Sequence, residues 1–250
     1  MSGAYGPAVE VWVLVGVAGA VFVAAAAQQM AGFGFALMAM PLLSALIGPR
    51  DAVAVAALAS LAGGTAMSWR LRDLVVRPVL RRLASGAVFG LPLGVVVLGT
   101  VDEDPLRVAV AVAVLVMVVI LVTGYRFREE RPRTEVGAGF VSGAMGSSIG
   151  IGGPPVVLVL QASDMEQHAF RATTVSFFVI CNLVTLPLVL AAGVVDLDIW
   201  PAMVVSVPAA LAGNRALERL AQRVTPEQFR PLVLGLLVVA ALIALATTAS

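Results

Sequence analysis

Few residues of this chain could do chemistry, and most of them gather near two glycine-rich segments. These are Gly32-Phe33-Gly34 and Gly150-Ile151-Gly152-Gly153-Pro154-Pro155. Glycine adopts positive φ and admits close approach of the backbone to a ligand. Where a helix starts after such a break, its free N–H groups and its dipole attract anions. Polar side chains flank both segments. Gln28 and Gln29 precede the first, and Ser147 and Ser148 precede the second. Asn182 and Thr185 lie in the next apolar stretch, beside Cys181. The candidate substrate-binding residues are therefore Gln28, Gln29, Gly32, Gly34, Ser147, Ser148, Gly150, Gly152, Gly153 and Asn182. Pro41, Pro154, Pro155, Arg171 and Cys181 are candidates for a vestibule or gating role. The alternative for the glycines is plain close packing between helices. That is the reading for Gly86-x-x-x-Gly90-x-x-x-Gly94 and Gly139-x-x-x-Gly143.

Other chemistries are poorly provided for. A metal site needs clusters of His, Cys or carboxylate, and the chain has one His and one Cys. No metal and no cofactor is expected. Gly146-Ser147-Ser148-Ile149-Gly150 fits the Gly-x-Ser-x-Gly pattern of hydrolases, but that motif needs a strand before it and a histidine at the serine's depth. His168, the sole histidine, falls in a loop. The sequence does not read as an enzyme. Arg171 either anchors a cytoplasmic helix end or attracts an anion there. Arg50 sits beside Asp51, which can neutralise it.

The elements that must position these residues are membrane helices. The chain has 250 residues, 60% apolar and only 12% charged, with a mean hydropathy of +1.00. Soluble domains carry about 25% charged residues, so lipid is the solvent for most of this one. Disorder is excluded by the apolar content, and a disulfide scaffold by the single cysteine. A net charge of +1 without a basic stripe speaks against nucleic acid as a partner. Residues 1–49 hold no Lys or Arg, so the first apolar stretch is expected to be retained rather than cleaved as a signal peptide.

Stretches free of charge and histidine run over 11–49, 52–69, 83–101, 108–125, 136–163, 172–195, 199–214 and 231–250. Six suit one crossing each, at about 20 residues per span. The two long ones contain the glycine breaks and read as hairpins of two helical arms. Arginines at 70–82, 126–133 and 215–223 alternate with acidic loops at 102–104 and 196–198. The positive-inside rule then makes the arginine loops cytoplasmic and puts both termini outside. Each half becomes a hairpin plus three spans, in opposite orientations: 1–125, a linker at 126–135, and 136–250. Such inverted repeats with broken helices characterise secondary transporters.

The stretch from Gly32 to Leu43, with Pro41, resembles the first signature of the TauE/SafE sulfite exporter family, and Gly150 to Pro155 resembles its second. Phe35 and Ala36 stand where that family often has further glycines. The resemblance implies transport of a small sulfur-containing anion such as sulfite or sulfoacetate. The expectation is an all-α polytopic inner-membrane transporter with two inverted repeats, exporting such an anion by alternating access. An anion channel and a carrier of non-sulfur organic anions are the rival readings. A buried carboxylate to relay protons is missing from the charge-free runs, and a uniporter needs none. A homodimer is compatible with the many packing glycines.

Overall fold

The computed structural model describes residues 10–31, 34–123, 132–163 and 165–220, and among them every regular element is helical. The first hairpin is α1 (Val11–Ala31) and α2 (Phe35–Ile47). Then follow α3 (Pro49–Arg70), α4 (Arg77–Thr100) and α5 (Glu103–Thr123). The second hairpin is α6 (Pro132–Ile149) and α7 (Gly153–Ala162), followed by α8 (Gln167–Ala191) and α9 (Trp200–Leu220). The expected span 231–250, most of the linker, Gly32 and the side chain of Gln29 lie outside the described residues.

Proline sets several of the starts. Pro49, Pro78 and Pro154 occupy the first turn of α3, α4 and α7, where the missing N–H costs nothing. Three-residue 3-10 turns at Arg72–Leu74 and Leu197–Ile199 lead into α4 and α9. Helices α1, α3, α4 and α8 each contain a segment long and apolar enough to cross a membrane, whereas α2 and α7 are short apolar arms. Trp12, Trp69 and Trp200, all at helix ends, are 62%, 70% and 64% exposed, as expected of interfacial anchors.

Several helices outrun the charge-free stretches. Helix α4 takes in Arg77, Arg81 and Arg82, and α5 takes in Glu103, Asp104 and Arg107. Long cationic side chains can leave a helix for the headgroup layer, and acids in a first turn complement the dipole. Charge therefore marks the edge of the apolar slab rather than the end of the helix. For the same reason α6 starts at Pro132, inside the expected linker.

Packing follows a clear pattern. Helix α4 lies against α6 and α1 against α9, while α3 packs against α8, α8 against α4 and α3 against α9. The α4–α6 pair runs parallel, from the Arg82–Glu135 ion pair through Gly90 beside Phe140 to Gly94 beside Ser147. A Cβ at Gly90 would fall on the Phe140 carbonyl, and one at Gly213 would fall on the Phe22 carbonyl of α1. Lipid gives helices no hydrophobic reason to associate, so close van der Waals contact of this kind must hold them. Helices α3 and α8 are antiparallel: Ser60 bonds Asn182 at one level, and Ser68 bonds Ser176 further along.

Candidate functional site

The two hairpins meet over the middle of α3 and α8. At the end of α1 the chain breaks, and Gly34, at φ 111°, caps α2 in the left-handed region. At the end of α6 the break differs. Gly150 takes φ 72°, and a side chain there would also overlap Met40 of α2. The Ser142 hydroxyl donates to the Gly152 carbonyl and ties the second turn back to α6.

Between the breaks lies a cavity of about 50 Å³. The first hairpin contributes Gln28, Gly34 and Phe35 to Leu37. The second contributes Ser142, Gly146, Gly150, Gly152 and Gly153, while α3 adds Ser60 and α8 adds Phe178, Cys181, Asn182 and Thr185. Asn182 donates through Nδ2 to Ser60 Oγ at 3.0 Å. That bond leaves the Ser60 hydroxyl proton and the Asn182 carbonyl oxygen for other partners. Gln28 and Thr185 make no hydrogen bond among the described residues. Among the described residues no charged side chain lines the cavity, so whatever it holds there is met by neutral donors and helix ends. No group of three or more metal-ligating side chains occurs among the described residues.

The sequence candidates divide into those at the cavity and those elsewhere. Gln28, Gly34, Gly150, Gly152, Gly153, Cys181 and Asn182 line it. Ser147 instead faces α4, where its hydroxyl donates to the Leu91 carbonyl at 2.8 Å or to Gly143 at 2.9 Å. Ser148 donates to the Ala144 carbonyl at 2.7 Å within its own helix. Pro41 and Pro154 are buried, and Pro155 is half-buried; none of the three is among the lining residues. Arg171 is half-buried at the start of α8, with Nη2 3.7 Å from Met67 Sδ. His168 is exposed beside it. Arg50 reaches the end of α4, donating to the carbonyls of Leu98 at 3.2 Å and Val101 at 3.1 Å. There its charge meets the negative end of the helix dipole.

Ser60 and Ser142 were not among the candidates. Ser142 was legible in principle: Ser142, Gly146 and Gly150 share one helical face, while Gly139, Gly143 and Ser147 share another. Ser60 carries no such signal, since a serine among alanines suits close helix packing equally well.

A bundle of apolar helices around a polar cavity bounded by two broken hairpins is the arrangement expected of a polytopic membrane protein with an internal site. The family model of the sulfite exporter TauE/SafE matches residues 17–244, and the chain belongs to that family. It is a family of membrane transporters of sulfite and related sulfur anions, not of enzymes. No curated protein and no solved structure matches the chain significantly.

Proposed function

We propose that this protein exports a small sulfur-containing anion, sulfite or a related sulfonate, across the bacterial inner membrane by alternating access around the cavity. The carrying observation is that both glycine breaks, remote in sequence, border one neutral polar cavity with Ser60, Asn182 and Thr185. Gln28 and Asn182 are its proposed hydrogen-bonding residues, and Gly34, Gly150, Gly152 and Gly153 shape the cradle around it. An outward potential gradient assists such export, at about 2.3 kcal/mol per charge per 100 mV, so no relay carboxylate is required.

Alternating access by this route rests on an inverted repeat, and several observations support one. The interval from Phe22 to Phe140 equals that from Gly34 to Gly152. A second interval relates Pro78 to Pro201 and Gly90 to Gly213. Under this pairing the Gly90–Phe140 contact maps onto the Gly213–Phe22 contact. The α4–α6 packing likewise maps onto α9–α1, and α3–α8 maps onto itself. By the arginine distribution, the N-terminus would lie outside.

The test is unfolding of detergent-purified protein, followed by tryptophan fluorescence, across sulfite, sulfate, thiosulfate, sulfoacetate and matched carboxylates. Saturation at about 100 times Kd adds about 2.7 kcal/mol, so a sulfur anion should raise Tm by several degrees. Efflux from proteoliposomes should then saturate at carrier rates. Stabilisation by carboxylates alone would reject the sulfur reading, and conductance far above carrier turnover would make the protein a channel.

A further inference from the structure

The two helix ends at the cavity are not chemically equal. In α2 the first-turn residues are Phe35, Ala36 and Leu37. All three have backbone N–H groups, and first-turn N–H groups have no partner within their helix. In α7 the corresponding residues are Gly153, Pro154 and Pro155. Proline has no N–H, so two of three donors are missing. The interval that relates Gly34 to Gly152 also relates Ala36 to Pro154.

The side chains follow the same bias. Gln28, from the first hairpin, is 5% exposed, lines the cavity and has no hydrogen-bond partner among the described residues. Thr185 of α8, outside both hairpins and 2% exposed, is in the same condition across from it. Both are buried polar groups with donors to spare. In the second hairpin the nearest hydroxyl, Ser142, is already committed to the Gly152 carbonyl. The cavity is small, at about 50 Å³, which favours a compact oxoanion over one that carries a carbon chain.

Resting on the transport reading above, we infer that of the two hairpins only the first binds the anion, with Thr185 of α8 opposite it. The Phe35, Ala36 and Leu37 amides, Gln28 and Thr185 hold a compact oxoanion. The second hairpin shapes the cavity without donating from its helix end. The two hairpins, related by pseudo-symmetry, thus divide the work: one binds, the other closes the space.

The experiment is calorimetric titration of the purified full chain with sulfite, sulfate and sulfoacetate. Ala36→Pro removes one N–H at a position where α7 itself tolerates proline. Pro154→Ala makes the reciprocal change. Loss of one hydrogen bond to an anion should weaken sulfite binding about tenfold or more in Ala36→Pro. Pro154→Ala should bind at least as tightly as the wild type. Gln28→Ala, which leaves the backbone intact, should weaken binding severalfold and decides the matter if Ala36→Pro does not fold. Unchanged affinity in Ala36→Pro or in Gln28→Ala, or a loss in Pro154→Ala, overturns the inference while the transport reading stands. So does binding of sulfoacetate with sulfite and sulfate silent. Absence of binding by all three anions overturns both.

Discussion

The α4–α6 interface and the cavity between the hairpins are neighbours built on opposite principles. At the interface, Gly86, Gly90 and Gly94 bring α4 onto the backbone of α6, and Ser147 adds a hydrogen bond to Leu91. At the cavity, Gly34 and Gly153 leave space unfilled, since a Cβ on either would meet nothing within 4 Å, and polar groups stay unsatisfied. The same residue type serves both ends because its missing side chain can be replaced either by a neighbouring backbone or by a ligand. What tells them apart is the face of the helix. Contacts that tight cannot slide, whereas the cavity walls meet through few bonds.

The largest expected effect tests the tight side. Gly90→Leu puts a side chain where the Phe140 carbonyl and Ala144 amide lie. It should cost more than about 4 kcal/mol, and no monodisperse protein should survive size-exclusion chromatography. Next is the cavity. Asn182→Ala removes the bond to Ser60 and should lower proteoliposome transport about tenfold while Tm moves little. A large Tm loss with transport intact would mean that this pair is merely structural. Ser147→Ala should show the reverse, a stability loss of about 1 kcal/mol with sulfite affinity unchanged. The smallest effect has the opposite sign. A Cβ at Gly137 of α6 would meet nothing within 4 Å, so Gly137→Ala should raise stability by up to about 1 kcal/mol, read as a higher Tm.

Much of this arrangement was legible in the sequence. Charge-free runs located the helices because lipid penalises charge steeply, and glycine clusters inside the two long runs located the hairpin tips, the second also because its proline pair cannot continue a helix. Boundaries were less legible at Arg77–Arg82 and Glu103–Arg107, where helices continue through their charged ends. In the site, Gln28, Gly34 and Asn182 could be named from their nearness to the breaks. Ser147 and Ser148 have the same nearness, yet their hydroxyls are spent on α4 and on α6 itself. Proximity along the chain selects both faces of a helix, and only periodicity separates them. Ser60 required knowledge of which helix lies opposite Asn182, which is a long-range fact.

One packing relation also bears on how the molecule is made. Helix α1 rests against α9, and most of the chain is synthesised between them. At about 5–20 residues per second, the first hairpin enters the membrane tens of seconds before its partner exists. During that interval its α9-facing surface, including Phe22 and Ala25, must be covered by lipid or by the insertion machinery. Helices α4 and α6 are closer in sequence and can pair much earlier. Assembly would therefore begin at the centre of the chain and end by closing the first helix onto the ninth.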